Sequence, residues 1–255
     1  MCSGEAKWNV ENGLVVLLPH GYDGNGPEHS SCRTERFLLL TDQDDDIPNK
    51  GDYDNTQVAK ETNMHVAHPS TAANYFHLLR QHQHRAFRKP LIVVAPKKLL
   101  RYRGATSDIE EFGEDKGFNM IYNDQNPNLV AKDKVRKVIF CAGQVYFDLD
   151  ERRTKDKHND VAILRVESLC PFPFKEVAEA MKQYPNAQVT WSQEEPKNAG
   201  GWTHIVPRMR NVLKHIGRKD RKIEYAGRPI MGATAVGFAK LHTDQLAALL
   251  EDSFK

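Results

Sequence analysis

Apolar positions along the chain fall into two alternating series. LVVLL at residues 14–18 is a continuous apolar run with the length of a buried strand. RTERFLLL at 33–40 reads as a short helix. Residues 41–60, which include DQDDD and NKGDYDN, are acidic and polar and read as a solvated insertion. MHVA at 64–67 predicts a short strand ending in His-Pro-Ser-Thr, after which Ser70 or Thr71 caps a helix over 72–87. Tyr75, Leu78 and Leu79 share one face of that helix. PLIVVA at 90–95 is a β-branched run typical of a central parallel strand.

The pattern weakens from 97 to 134, where glycines, charges and the NDQNPN tract suggest a linker. A second series starts at Val135. VIFCAG, VAILRVES, QVTWSQEE and residues 223–225 are expected strands, and 146–157, PFPFKEVAEAMKQYP, 202–216 and 243–254 are expected helices. Proline suits the first turn of the PFPF helix, where its missing N–H costs nothing. Strands alternating with helices imply a mostly parallel sheet with helices on both faces. The expected organisation is an α/β unit over 1–100, a linker over 101–134 and a second, three-layer α/β/α unit over 135–255, without internal repeats. The first unit shows only about three strands, so further strands of its sheet are expected outside this chain.

Composition narrows the picture only slightly. Of 255 residues, 40% are hydrophobic and 27% charged, and the formal net charge is +2, as in an ordinary globular protein. No long basic run points to nucleic acid, and no apolar stretch approaches the ~20 residues that cross a bilayer. Cys2, Cys32, Cys141 and Cys170 form no CxxC pair and read as reduced thiols. The segment MCSGEAKWNVENG has neither an apolar core nor Arg/Ser enrichment, so no targeting segment is visible.

Candidate chemistry gathers in LVVLLPHGYDGNGPEHSSCRTERFL, residues 14–38. His20 and His29 stand where a buried strand gives way to a glycine-rich loop, the position at which open α/β sheets bind ligands. Gly21, Gly24 and Gly26 let the backbone turn between the two histidines. Ser30 and Ser31 either orient His29 or cap the helix at Arg33, capping being the preferred reading. His65, His68, His77, His82 and His84 have no carboxylate or cysteine to complete a metal set, and no metal site is expected. Glu194 and Glu195 follow a strand; paired carboxylates are capable of acid–base work.

Several motifs together resemble the C-terminal part of the thiamine-diphosphate-dependent 2-oxoglutarate dehydrogenase family, within the transketolase-like superfamily. They are SGEAKW (3–8), GLVVLLPHGYDGNGPEHSSCRTERFL (13–38), PSTAANYFHLLR (69–80), RKPLIVVAPKKLLR (88–101), VYFDL (145–149), VAILRVESLCPFPF (161–174), WSQEEPKNAGGW (191–202) and YAGRP (225–229). They run the whole chain, and GPEHSS with PKKLLR and QEEPKNAGGW is a specific combination. Cys32 stands where the family usually has a small residue such as alanine.

The resemblance implies the end of a transketolase-like pyrimidine-binding domain followed by the family's C-terminal domain. It implies oxidative decarboxylation of 2-oxoglutarate in the tricarboxylic acid cycle, with succinyl transfer to the lipoyl groups of a dihydrolipoyl succinyltransferase. Thiamine diphosphate would be the electron sink, with magnesium, while the protein supplies orientation and proton handling. The resemblance maps His29 onto an active-site histidine at the cofactor's reactive end. For His20 it leaves active-site and structural roles equally open. The main cofactor-binding elements, including the activating glutamate, are expected upstream, so Glu5 is not that glutamate and the isolated chain is expected to be inactive. Glu194 and Glu195 are expected at a domain interface, away from the reactive carbon.

The basic residues Arg80, Arg85, Arg88, Lys89, Lys97, Lys98 and Arg101 read as a solvated or interface-paired face, with an acyl-CoA phosphate site as alternative. A homodimer in the mitochondrial matrix is implied for the complete enzyme. The alternatives are a non-catalytic interaction or decoy subunit, and a piece of the 2-oxoadipate dehydrogenase paralogue.

Overall fold

The computed structural model describes residues 1–46 and 55–255, so the middle of the polar insertion, 47–54, lies outside the described residues. The first half of the chain forms α1 (Gly4–Trp8), β1 (Val15–His20), α2 (Thr34–Leu39), α3 (Asn55–Glu61), β2 (His65–Ala67), α4 (Ala72–His84) and β3 (Leu91–Pro96). The second half forms β4 (Ile121–Tyr122), β5 (Lys137–Cys141), α5 (Val145–Asp156), β6 (Val161–Val166), β7 (Ser168–Cys170), α6 (Phe174–Gln183), β8 (Gln188–Pro196), α7 (Trp202–His215), β9 (Ile223–Arg228) and α8 (Ala239–Phe254). Thr71 caps α4, its hydroxyl accepting the Asn74 amide at 3.2 Å. That helix ends at His84, short of the expected 87, because Arg85 turns to extended backbone.

Two sheets form, ordered β1-β3-β2-β7 and β4-β6-β5-β8-β9. In the second, β6, β5, β8 and β9 run parallel, and β4 adds an antiparallel edge from within the expected linker. Strand β5 shows why: its residues alternate between two buried faces, as a central parallel strand requires. Val138 and Phe140 join the core under α6 and α7, whereas Ile139 and Cys141 join the core under α5 and α8. The first sheet pairs β1, β3 and β2 in parallel and ends in antiparallel β7. On its far side β1 has no strand partner among the described residues, and Leu17 is 53% exposed there.

The expected single strand VAILRVES is therefore split. Its first part stays in the second sheet and its last crosses to the first, turning at the buried carboxylate of Glu167. One apolar core serves both sheets: Leu38, Met64, Val66, Ile92 and Val94 pack in the same cluster as Val138, Phe140, Leu164 and Trp191. Burial of this continuous interface holds the two units in one relative placement.

Candidate functional site

Parallel pairing to β3 brings the C-terminal ends of β1 and β2 to the same side of the first sheet. His20 ends β1, and His68 follows β2 directly; both are buried, and their rings meet edge-to-face at 5.5 Å between centroids. The chain leaves β1 through a loop closed on itself by the Gly21 amide, which donates to the Ser30 carbonyl at 2.9 Å. Gly24 and Gly26 take φ of 80° and 81°, the left-handed values that glycine adopts freely. Ser31 Oγ accepts the Arg33 amide at 2.9 Å, just ahead of α2, while Ser30 Oγ donates to the Gly26 carbonyl at 2.6 Å. Neither serine caps α2, whose N-cap is Arg33 without a side-chain cap; Ser31 turns the chain just before it, and Ser30 ties the loop.

The two sequence-predicted histidines end up in opposite environments. His29 closes a short 3-10 turn, Pro27–His29, with an exposed side chain, and Lys97 Nζ donates to its carbonyl. The Lys97 amide also donates to the His20 carbonyl at 3.2 Å, so one residue ties both ends of the loop. His20 is fully buried and faces the second unit. Its Nδ1 accepts the Cys32 amide at 3.2 Å. Its Nε2 lies 3.1 Å from Glu195 Oε1 and 3.5 Å from Glu194 Oε1.

Consecutive strand residues ordinarily point to opposite faces. Both glutamates reach His20 because the β8–β9 register shifts between Ser192 and Pro196. Such an irregularity re-aims side chains next to functional sites.

The charges of this cluster are interdependent. Burial alone depresses the His20 imidazole, but the nearby Cys32 side chain and the Glu195 carboxylate outweigh it and carry it well above its ordinary value. A doubly protonated ring gains Glu195 and gives up the Cys32 amide at Nδ1, so two effects compete within one side chain. Burial, opposed by His20 and reinforced by Glu195, pushes the Glu194 carboxyl up to about 7. Burial acts on Glu195 in the same sense, but the hydrogen bond and charge of His20 override it and hold that carboxyl below the usual range. Burial, with the charge of His20 beside it, drops His68 to about 3. The cluster thus holds one firmly ionised carboxylate, a second poised near neutrality, and two unlike imidazoles.

Gln144 is a member that the sequence pattern did not single out, and His68 one that it weighed only as a metal ligand. Gln144 Nε2 donates to Asp23 Oδ1 and to Glu194 Oε2, both at 3.1 Å. The signal for His68 was present, since it ends a strand run as His20 does. Glu194 and Glu195 stand between the units, where the resemblance puts them, but in direct reach of His20. Glu5 pairs with Lys89 and is not among the residues around His20. Among the described residues no three His, Cys, Asp or Glu side chains gather in a way that holds a metal ion.

Residues 106–254 match the family described as 2-oxoglutarate dehydrogenase C-terminal, and residues 1–103 match that described as transketolase, pyrimidine binding domain. The mitochondrial 2-oxoglutarate dehydrogenase of Dictyostelium discoideum is 47% identical over 253 residues, which are 98% of this chain and 25% of that protein. The 2-oxoglutarate dehydrogenase E1 components of Brucella anthropi and Brucella ovis are 44% identical over 258 residues, 98% of this chain and 24% of theirs. The chain spans about a quarter of the length of the curated relatives it matches.

Proposed function

This chain belongs to the 2-oxoglutarate dehydrogenase family, and from that premise we propose that it forms the part of the decarboxylating component that presents His29 to the reacting groups. The observation that carries the reading is the contrast between the two histidines: His20 is sealed against Glu194 and Glu195, and His29 stands exposed on a loop tied at both ends by Lys97. An exposed imidazole on a strand-end loop is open to a substrate and has the two ring nitrogens that proton exchange requires. The family depends on thiamine diphosphate, which supplies the electron sink when bound. The part of His29 is to orient the 2-oxo acid or the incoming lipoyl arm and to exchange a proton with it.

The substrate proposed is 2-oxoglutarate, which the names of the relatives support, and the acceptor proposed is a lipoyl-bearing dihydrolipoyl succinyltransferase. Magnesium, a homodimeric complete enzyme and a mitochondrial-matrix location belong to the same reading, the last supported by the name of the Dictyostelium protein. The 255-residue chain by itself is expected to lack decarboxylase activity, because it spans only about a quarter of the length of the enzymes it resembles.

A chimera tests this directly. The chain replaces the matching quarter of the Dictyostelium enzyme, and 2-oxoglutarate-dependent reduction of an artificial acceptor is followed with thiamine diphosphate and magnesium. The chimera is expected to turn over, and His29→Ala to lower kcat by about a hundred-fold with an unchanged melting temperature. Unchanged turnover in His29→Ala removes the residue from the reaction. Turnover by the isolated chain removes the claim that it is inactive alone.

A further inference from the structure

The loop from His20 to Cys32 is not shaped by its own unit alone. Three separate segments of the second unit grip it. From the end of β8, Glu194 Oε2 accepts the Tyr22 amide at 3.2 Å, and both glutamates face the His20 ring. From the start of α5, Gln144 donates to Asp23 at 3.1 Å. From the segment after β9, the Thr234 carbonyl accepts the Tyr22 hydroxyl at 2.7 Å, and Thr234 Oγ1 donates to the Pro27 carbonyl at 3.1 Å. The Arg228 guanidinium lies over the Tyr22 ring at 5.4 Å. These contacts fall on His20, Tyr22, Asp23 and Pro27, ahead of His29 in the loop.

Two adjacent carboxylates buried against an imidazole are a costly way to weld two domains, since apolar packing does the same at lower cost. A large apolar core already joins the units. The carboxylates instead offer directional acceptors, and the shifted register of β8 aims both at one strand end.

We propose that the C-terminal unit is a template for the His29 loop, with Glu194 and Glu195 as positioning residues that act through Tyr22 and His20. The consequence for turnover rests on the reading of His29 given above; the positioning itself does not. Glu194 fixes the loop's first turn by its bond to the Tyr22 amide, and Thr234 fixes its far side at Pro27, one turn from His29. The second unit thereby sets where His29 stands while remaining outside the reaction.

The test uses the 255-residue chain and amide hydrogen exchange, which requires neither cofactor nor turnover. Glu194→Ala is expected to speed exchange at Gly21, Tyr22 and Cys32 by about ten-fold, with Ile139 and Leu164 in the core strands unchanged. Glu194→Gln, which retains an acceptor for the Tyr22 amide, is expected to return those rates to within about two-fold of the parent. Carbethoxylation of His29 by diethyl pyrocarbonate, read by mass spectrometry, is expected to change by about three-fold or more in the alanine variant and to recover in the glutamine variant. If Glu194→Ala does not fold, Thr234→Val removes the bond from the Thr234 hydroxyl to the Pro27 carbonyl and is expected to speed the same loop amides about three-fold. A uniform rise in exchange through both units, or no rise in the loop, overturns the proposal. Loop-selective exchange alongside unchanged turnover in the His29→Ala chimera leaves the template standing and overturns the reading of His29 alone.

Discussion

Glu167 accepts both the backbone amide and the hydroxyl of Ser70, at 2.7 and 2.6 Å. A third donor, Asn74 Nδ2, reaches the same carboxylate at 3.0 Å, and Arg165 Nη1 donates to Ser70 Oγ at 3.0 Å. Glu167 stands where the chain leaves β6 for β7, and Ser70 precedes the cap of α4, so this bond set joins the two units at their crossing point. All four side chains belong to buried residues. Truncating the carboxylate strands three donors out of reach of water. Glu167→Ala is expected to lower stability by about 3 kcal/mol, and Glu167→Gln by roughly half of that, measured as urea midpoints at constant m.

Acid should unfold this protein through its buried histidines. Burial, with Arg85 beside it, drops His65 to about 3; burial and His20 drop His68 to about 3; burial and Arg208 drop His204 to about 3. Each has a folded pKa below its unfolded value near 6.5, so its contribution is complete above pH 6.5 and is lost as pH falls towards 3. Glu194 and His20 run the other way: their folded values are raised, so their contribution is present at low pH and is lost as pH rises through the folded pKa. Three depressed histidines outnumber these two. The urea midpoint is expected to fall from pH 7 to pH 5, with a net slope approaching ~3 kcal/mol per pH unit near pH 5, where the three histidines protonate only on unfolding and Glu194 offsets most of one of them. A midpoint that is flat or rises over that interval contradicts the assignment.

Much of this was legible along the chain because strands buried on both faces announce themselves as apolar runs. Residues 14–18 and 90–95 lie within or beside strands β1 and β3, and Thr71 caps the helix it was expected to cap. His20 and His29 were visible for the same reason, since each borders a strand-end loop. What stayed hidden depends on pairing between distant residues. Nothing local to VAILRVES says that its last residues join another sheet, because the cause is a carboxylate bonded to Ser70. Nothing in QEEP says that both glutamates face one imidazole, because the cause is a register shift against β9. Polarity misleads in the NDQNPN tract as well: Asp124 has a fully buried side chain, although its neighbours are exposed.

Gly143 gives a sharp steric test of the second half of the site. It has φ of 73°, and a Cβ there would stand 2.1 Å from His68 Nε2. Gly217 has a similar φ of 75° with nothing within 4 Å of the added atom. The pair separates backbone strain from collision. Gly217→Ala is expected to cost about 1 kcal/mol, the strain of a left-handed alanine. Gly143→Ala carries the same strain and must also displace His68 from His20, for a total of about 3 kcal/mol or more. Equal melting temperatures for the two variants would show that His68 is free to move.

The ion pair between Arg153 and Asp124 should behave as a buried one despite its place in a polar stretch. The Asp124 side chain is 0% exposed and that of Arg153 is 4% exposed. Arg153 Nη1 donates to Asp124 Oδ2, and Nη2 donates to Asp150 at 2.6 Å. The same Asp124 oxygen accepts the Ile163 amide, so the carboxylate also holds the chain beside β6. Removing it leaves a guanidinium with little access to water and an amide without its acceptor. Asp124→Ala is expected to cost about 3–5 kcal/mol, the range for a buried charge deprived of its partner. Asp124→Asn retains the acceptor for Ile163 and is expected to cost about 2 kcal/mol. The informative variant is the double one, Asp124→Leu with Arg153→Met, which removes both charges and fills the space with apolar atoms. If desolvation dominates, it is more stable than Asp124→Ala alone. If the double variant is instead the least stable of the three by urea unfolding, the pair stabilises the fold beyond what apolar packing restores.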